Sequence, residues 1–375
     1  MNIALMSWHS YYNYGTFLQA AALSYYLKKT GHKVDLIKYD PEQHVIRQSV
    51  NNTESLIEKL KKRIQWQLGN YNQVEQFNGD KFDEFAKINF SVTINCNEAE
   101  KLKELNNLYD AFICGSDQIW SPVDFDPNFY LDFVEDKRRT IAYAPSFGIS
   151  SIDNIDMQKT MGALVKQIRF LSVREVQGAE IIKELTGDEA KVVVDPTILL
   201  NEEDWVEFLE LRNNEDKYLL IYYLGNNSES WKIAKKIAVR QKLPIKIIPV
   251  YPQDKKRDGC INRSIGPREF VDLIKNASYV CTDSYHAVLF SILYQTNFAC
   301  VKRFSDRNKL SQNSRLYSLL EKLELEDRLI DSGMKLPGEI LNYDIVHDKL
   351  SEWRKQSSEF ILTALDKIQE LEINE

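Results

Sequence analysis

The chain of 375 residues contains only five cysteines, and no two of them stand at the spacing of a CxxC pair. An odd number of widely spaced cysteines argues against a framework of paired disulfides. Cys114, Cys281 and Cys300 lie within apolar runs, where a free thiol behaves as a small core residue. We therefore expect reduced cysteines and a reducing compartment.

Long apolar runs are missing as well. None approaches the roughly 20 residues that a membrane-spanning helix needs. The segment MNIALMSWHSYYNYG lacks the basic and apolar regions of a secretory signal. Together with the reduced cysteines, these absences predict a cytoplasmic protein without a membrane span, and peripheral contact with a membrane stays open.

The chain has no excess of positive charge. Lys and Arg number 48 and Asp and Glu number 55, which gives a net charge of −7. Non-specific binding to nucleic acid relies on a basic surface, so this balance argues against a nucleic-acid partner. A small anionic ligand would have to rely on a few local cations.

Several signatures of cofactor and metal sites are also absent. The sequence has no GxGxxG, so we expect no nicotinamide cofactor, and it has neither a P-loop nor a GxSxG elbow. The histidines show no HExxH or similar spacing, so we expect no protein-bound metal. The sequence therefore predicts a protein without a cofactor.

What the sequence does contain is an alternation of strand and helix patterns. NIALMSW, a polar loop, a helical pattern over 16–29 and the strand pattern HKVDLIKYD form a βαβ unit. Residues 42–107 interrupt this alternation with polar and amphipathic sequence that contains no strong strand. We predict a mainly helical excursion there, which is either a covering layer or a dedicated partner surface.

Strand patterns resume after the excursion and form two series. The first is LYDAFICGS, RRTIAYAPSFG, RFLSVRE and AKVVVDPTI, and the second is KYLLIYYLG, LPIKIIPVYP, SYVCTD and NFACVKR. Their Val and Ile content without strict alternation is typical of parallel strands buried on both faces. The pattern predicts an α/β fold with two Rossmann-like, doubly wound domains at 1–200 and 201–345, and a C-terminal helix at 346–375. Ligands of such sheets bind beyond the carboxyl ends of the strands, so we expect a site in the cleft between the domains.

The segment CTDSYHAVLFS places a helix start directly after a buried strand. The free N–H groups of a helix start suit an anion, and Ser284 or Asp283 would cap this helix. His286 lies in the first turn and is a candidate general acid or base. A capped helix with an incidental polar first turn is the alternative interpretation.

The segment SVREVQGAEII has a similar organisation, with Arg174 at the end of a strand. A guanidinium there can form two hydrogen bonds with a carboxylate or a phosphate. The alternative is a surface salt bridge with Glu175 or Glu180, and exposed ion pairs of this kind are common.

Two further loops follow strands of the first domain. In GSDQIWSP, Asp117 could accept a hydroxyl proton and Trp120 could stack on a sugar ring, although a turn with a core tryptophan is an equal alternative. In HSYYNYG and the residue after it, Asn13, Gly15 and Thr16 are candidates for contact with the acceptor.

A basic run follows the last clear strand. It consists of Lys302, Arg303, Arg307 and Arg315. The run could hold the phosphate of a donor, with Arg315 as the candidate that we assign to this role. A solvated face is the commoner explanation of such a run.

These segments together resemble the polysaccharide pyruvyl transferase family. The matching segments are NYGTFLQAAALSYYLKKTGHKVDLIKYDP (13–41), GSDQIWSP, IAYAPSFG, SVREVQGAEII, VVVDPTILL and TDSYHAVLFSILY. They follow one another in the order of the family, from residue 8 to about residue 320, and so extend over nearly the whole chain.

The resemblance implies a GT-B-like fold and a transferase that acts on a cell-surface polysaccharide precursor. The activity would move a pyruvyl group from phosphoenolpyruvate to two hydroxyls of a glycan or lipid-linked sugar, forming a ketal and releasing phosphate. The resemblance implies His286 as the catalytic residue and Arg174 as the anion clamp. The helix start at Ser284 and Tyr285 would also bind the donor, and Asp117 would act from the other side of the cleft.

Two positions depart from the pattern of the family. Some members carry Arg two residues before the histidine, where this chain has Ser284, and many carry Gly after it, where this chain has Ala287. Two alternatives therefore stay open. One is a GT-B glycosyltransferase that uses a nucleotide sugar, with YPQDKKRDG (251–259) contacting the ribose, and the other is a sugar-binding relative without catalysis.

Overall fold

The computed structural model describes residues 1–9, 12–40, 72–303, 313–330, 337 and 341–373. Two of the sequence-based predictions, the excursion over 42–71 and the basic residue Arg307, lie outside these residues. Within them the chain forms two parallel sheets covered by helices, which confirms the predicted α/β class.

The first sheet is built from the N-terminal half of the chain. Its strands are β1 (Asn2–Met6), β2 (Lys33–Lys38), β3 (Val92–Asn95), β4 (Ala111–Cys114), β5 (Thr140–Ala142), β6 (Phe170–Val173) and β7 (Lys191–Val192). All are parallel, in the spatial order β3-β2-β1-β4-β5-β6-β7. Strand β4, AFIC, is buried at every residue because helices cover both faces of the sheet.

The second sheet is built from the C-terminal half. Its strands are β8 (Leu219–Tyr222), β9 (Ile245–Ile247), β10 (Tyr279–Thr282), β11 (Asn297–Val301) and β12 (Leu329–Ile330). They are again all parallel, in the order β12-β11-β10-β8-β9. In both sheets the strand order reverses direction beside the first strand, as in doubly wound folds.

Helices connect and cover the strands. The α-helices among the described residues are α1 (Tyr14–Lys29), α2 (Asn72–Asn89), α3 (Ala99–Glu104), α4 (Ile155–Val165), α5 (Val176–Thr186), α6 (Pro196–Leu199), α7 (Glu202–Leu209), α8 (Ser228–Gln241), α9 (Pro267–Lys275), α10 (Tyr285–Leu293), α11 (Ser314–Lys322) and α12 (Tyr343–Ile373). Among these residues, no helix combines the length and the apolar character that a membrane crossing requires. Helices α1 and α10 are apolar on nearly all sides and are buried along most of their length, so they form the centre of the molecule.

The expectation that residues 42–107 contain no strong strand is wrong at β3. Its sequence VTIN extends the first sheet beside β2, and only Thr93 is buried. An edge strand with one buried residue produces no apolar run, so the sequence pattern does not reveal it. The rest of the described excursion contains helices α2 and α3, as predicted.

The excursion helix α2 contacts both domains. Tyr14 of the first domain stacks on Phe270 of the second with ring centroids 4.4 Å apart, and its hydroxyl donates to the Ile265 carbonyl at 2.9 Å. Asn78 of α2 donates to that same hydroxyl at 3.3 Å and accepts from the Ile265 N–H at 2.9 Å. The two domains therefore meet through a buried and hydrogen-bonded contact, to which the excursion contributes.

The C-terminal helix returns to the first domain. The indole N–H of Trp353 donates to the Val192 carbonyl at 3.2 Å, and the hydroxyl of Ser357 accepts from the Val194 N–H at 3.0 Å. The predicted C-terminal helix is present as α12, which extends over Tyr343–Ile373 in the described residues. The chain thus leaves the first domain, forms the second sheet, and comes back to its starting domain.

Candidate active site between the two sheets

Polar side chains from both sheets meet where the strands end. Arg174 and Glu175 directly follow β6, and Asp195 lies shortly after β7. His286 follows β10 in the second sheet, one residue inside helix α10. Because parallel strands present their carboxyl ends at one edge, the two facing edges bring these groups together.

His286 is the contribution of the second domain. Its Nε2 lies 3.6 Å from Oδ2 of Asp195, and this nitrogen has no hydrogen-bond partner among the described residues. Ser284 caps the helix, since its hydroxyl accepts from the Ala287 N–H at 3.4 Å. The predicted cap is therefore present, and the Ser284 oxygen is engaged by the helix itself.

Asp195 joins the two domains. Its Oδ2 accepts from Nη1 of Arg174 at 2.6 Å, and its Oδ1 accepts from the N–H and the hydroxyl of Thr197 at 2.9 and 2.8 Å. Burial alone would raise the pKa of Asp195, but His286 and Arg174 outweigh it and hold the pKa well below its usual range. The carboxylate is therefore ionised; it accepts a hydrogen bond from Arg174 and lies 3.6 Å from Nε2 of His286.

Arg174 is buried, so the alternative of a surface salt bridge is wrong. Its side chain is 0% exposed. Its Nε lies 3.7 Å from Glu175 and its Nη2 lies 3.8 Å from Asp117, and neither nitrogen has a hydrogen-bond partner among the described residues. Burial alone would lower the pKa of Arg174, but the surrounding carboxyl groups outweigh it and raise the pKa above its usual range, so the guanidinium stays charged.

Tyr285 lies beneath two guanidinium groups. Its ring centroid is 4.7 Å from Cζ of Arg174 and 5.5 Å from Cζ of Arg315. Arg315 comes from helix α11 and is also buried. Burial and the like charge of Arg174 lower the pKa of Arg315 to about 10. Two guanidinium groups over one ring present N–H donors to an anion, although Arg174 already pairs with Asp195.

Glu175 is the second buried carboxyl group beside Arg174. Its Oε1 accepts from the Ser146 hydroxyl at 2.6 Å, while Oε2 has no hydrogen-bond partner among the described residues. Burial raises its pKa, although Arg174 and the Ser146 hydrogen bond oppose this effect. Sequence reasoning treated Glu175 only as a surface partner, because its burial cannot be read from neighbouring residues.

The loops after β1 and β4 complete the site from the first domain. Asp117 adopts a positive φ of 63° and accepts from the Thr16 hydroxyl at 2.8 Å. Asn13 caps helix α1 by accepting from the Gly15 N–H at 2.9 Å. Gly15 lies directly against the His286 ring. Asp117 and Gly15 therefore lie within the cluster, whereas the Asn13 side chain is engaged in a helix cap.

Trp120 does not lie at an accessible surface. Its side chain is 0% exposed, its ring stacks on Tyr130 at 5.0 Å, and its indole N–H donates to the Phe129 carbonyl at 3.0 Å. The expectation that it stacks on a sugar ring is wrong, and the alternative of a core tryptophan holds.

In the segment 251–259, the carboxylate of Asp254 is not free to bind a ribose. That side chain is buried and accepts from the N–H groups of Val250 at 3.2 Å and Tyr251 at 2.9 Å. It also accepts from Nε of Arg257 at 3.3 Å. This geometry engages Asp254, while Asp258, the other acidic residue of the segment, is exposed, so the nucleotide-sugar alternative keeps one candidate carboxylate there.

Two facing doubly wound sheets with an Arg–Asp–His cluster between them define a two-domain, GT-B-like protein with a buried polar site. The polysaccharide pyruvyl transferase family model matches residues 13–303, and this range contains the whole cluster except Arg315. The chain belongs to this family and is a transferase. No match is found among curated proteins.

Several solved structures have a similar architecture. UDP-GlcNAc 2-epimerase from Methanocaldococcus jannaschii is 13% identical, with a TM-score of 0.45 and coverage of 95% of this chain and 92% of that one. The S. aureus MnaA–UDP structure is 11% identical, with a TM-score of 0.48 and coverage of 94% and 87%. An alpha-glucosyltransferase bound to UDP and a 13-mer DNA is 13% identical, with a TM-score of 0.44 and coverage of 98% and 99%. These likenesses concern the fold and say nothing about the substrate of this chain.

Proposed function

We propose that the protein transfers a pyruvyl group from phosphoenolpyruvate to two hydroxyls of a sugar in a polysaccharide precursor, on the cytoplasmic side of the cell envelope. The acceptor is a glycan or a lipid-linked sugar. Family membership supports the transferase class, and the buried cluster between the sheets supports a small dianionic or trianionic donor.

The observation that carries the proposal is that Arg174 is buried and has N–H donors without hydrogen bonds in the described part of the chain. Its guanidinium is buried and keeps Nε and Nη2 without hydrogen bonds among the described residues. An unsatisfied buried donor costs about 1–3 kcal/mol, and more when it is charged. A carboxylate or phosphate placed beside these two nitrogens would remove that cost, and Arg315 on the same tyrosine ring would hold the other anionic group of the donor.

The proton balance of the reaction fits the groups present. Protonation of the methylene carbon of phosphoenolpyruvate creates a cationic centre at its neighbour, to which the first sugar hydroxyl adds. Phosphate then leaves and the second hydroxyl closes the ketal. Of the two hydroxyl protons, one ends on the new methyl group and one on phosphate. His286 would take the proton of the first hydroxyl and pass it to the methylene carbon, and Asp117, on the other side of the site, would take the proton of the second hydroxyl and pass it to the phosphate.

The test is the release of phosphate from phosphoenolpyruvate in the presence of an acceptor. A panel of hexoses, nucleotide-linked sugars and lipid-linked sugars is incubated with the enzyme, and the mass of each sugar shows whether it gains a pyruvate ketal. Arg174→Lys and His286→Gln are expected to abolish turnover. Arg169→Lys changes an exposed arginine of the same domain and serves as the matched control.

A thermal-shift series distinguishes the alternatives. Phosphoenolpyruvate should raise the melting temperature of the wild type but not of Arg174→Lys. UDP-, GDP- and CMP-sugars should neither raise the melting temperature nor donate their sugar. Stabilisation by a nucleotide sugar together with glycosyl transfer would replace the proposal, and binding without turnover of any kind would favour a non-catalytic relative.

A further inference from the structure

The imidazole of His286 and the carboxylate of Asp195 face each other across the domain boundary. Asp195 follows the last strand of the first sheet, and His286 lies in the first turn of α10 in the second domain. Their closest atoms, Oδ2 and Nε2, are 3.6 Å apart, and both side chains are buried. No described residue forms a hydrogen bond with Nε2.

We propose that Asp195 is a positioning residue that, in the neutral form of the imidazole, fixes the His286 proton on Nε2 and leaves Nδ1 as the nitrogen that exchanges protons with the substrate. This inference rests on the proposed function for its catalytic consequence. Asp195 itself does not touch the reacting atoms and acts through His286.

The hydrogen-bond capacity of the two groups sets the tautomer. An ionised carboxylate can only accept hydrogen bonds, so a neutral imidazole that points Nε2 at it must carry its proton there. Asp195 is held in the ionised state by Arg174 at 2.6 Å and by two donors from Thr197. The 3.6 Å separation exceeds a hydrogen bond, and contacts of this kind commonly tighten when substrate binds.

The surroundings of Nδ1 indicate why this nitrogen, and not Nε2, exchanges protons with the substrate. Nδ1 accepts and donates no hydrogen bond among the described residues and, unlike Nε2, is not a fully buried unbonded atom, although the Gly15 backbone packs against the ring beside it. The proton of a sugar hydroxyl can therefore pass to the lone pair on Nδ1 while the proton on Nε2 stays directed at Asp195. The hydroxyl oxygen keeps the electron pair of the broken O–H bond and uses it to attack the cationic carbon.

Asp195 also couples proton transfer to donor binding. The same Oδ2 holds Arg174 and faces His286, so a shift of one group is transmitted to the other through a single atom. Asp195→Asn keeps the shape of the side chain but introduces an amide N–H group. If this group faces Nε2, it forces the imidazole proton onto Nδ1, which then cannot accept a proton.

The experiment is nitrogen NMR of the full-length protein with ¹⁵N-labelled histidine, and His286→Gln identifies the resonances of His286. Wild type should show a protonated Nε2 and an unprotonated Nδ1. Asp195→Asn should shift the population towards the Nδ1–H tautomer. Glu202→Gln is the matched control, because Glu202 lies 3.6 Å from the His347 imidazole, away from the cluster, and this variant should leave the His286 spectrum unchanged.

Kinetics provide the second measurement. Asp195→Asn should lower kcat by about 100-fold, the size of a general acid–base contribution, with a smaller rise in the KM for phosphoenolpyruvate. A purely structural role would lower the amount of folded enzyme and leave kcat per folded molecule intact.

The outcomes separate the two proposals. A wild-type His286 that carries its proton on Nδ1, or a spectrum that is unchanged in Asp195→Asn, would overturn the role of Asp195. Should the variant not fold, the wild-type spectrum alone decides. Failure of phosphoenolpyruvate turnover with the expected tautomer in place would overturn the proposed function and not the Asp195–His286 relationship.

Discussion

The ring of His286 lies so close to Gly15 that residue 15 has no room for a side chain. A Cβ built on Gly15 would lie 2.0 Å from Nδ1 of His286, far inside any van der Waals contact. The glycine belongs to the first turn of α1 in the first domain, and the histidine belongs to the second domain. The absence of a side chain at residue 15 therefore allows the two halves of the site to meet.

Gly15→Ala is expected to displace the imidazole and to lower kcat/KM by about 100-fold, because a misplacement of about 1 Å costs this much in a positioned catalytic group. Circular dichroism and the melting temperature would show that the fold persists. Gly178→Ala is the matched control, since this helical glycine has its nearest neighbours at ordinary contact distances of 3.4–3.6 Å. Retention of full activity by Gly15→Ala would contradict the close contact.

Tyr285 should contribute to donor binding through the face of its ring. Tyr285→Phe keeps the ring beneath Arg174 and Arg315, so the KM for phosphoenolpyruvate should stay near the wild-type value. Tyr285→Leu removes the ring, and each lost cation–π contact is worth about 0.5–2 kcal/mol, so this KM should rise roughly 5- to 30-fold. Equal effects of the two substitutions would instead assign the role to the hydroxyl.

Trp120 should matter for stability and not for the acceptor. Trp120→Phe leaves space beside Tyr130 and removes the hydrogen bond to the Phe129 carbonyl, which should lower the free energy of unfolding by about 1–3 kcal/mol. Urea denaturation measures this loss. The KM for the acceptor should stay the same in the folded variant, whereas a residue that stacks on the sugar would show a raised KM with little loss of stability.

The contribution of Asp195 to stability should depend on pH. Its pKa in the folded protein lies below the ordinary value of 3.8, so its stabilising effect is complete above about pH 4 and is lost as the pH falls below that value. At pH 7, the free energy of unfolding of Asp195→Asn should be about 3 kcal/mol lower than that of wild type, because Arg174 loses its buried partner. Urea unfolding at pH 7 and pH 3 tests this, and the difference between the two proteins should narrow at pH 3. A difference that stays constant would show that the charge of Asp195 is not what stabilises the fold.

The sequence predicts the main strands because buried parallel strands have continuous apolar runs. The order of the elements, the two sheets and the helix start at Ser284 follow from such runs and from capping residues. Strands β3 and β12 lie at sheet edges and are too short to produce a run, so they become visible only through their pairing with a neighbour.

The site was less predictable, because its contacts join distant parts of the chain. Asp195 follows a strand and precedes a proline, which suggests only a helix start. Its partners Arg174 and His286 are far away in sequence, so nothing local indicates an ionised link between them. Trp120 presents the opposite problem, because an aromatic residue in a polar loop has the same sequence pattern whether its ring faces a ligand or the core.

The return of α12 to the first domain means that two stretches of chain tether the second domain. Two covalent connections restrict rotation of this domain about either connecting segment more than one connection would. The topology is that of an inserted domain, with both ends of the described chain on its host. Removal of α12 would therefore expose the first domain at Val192 and Val194 and at the same time release one of the two tethers.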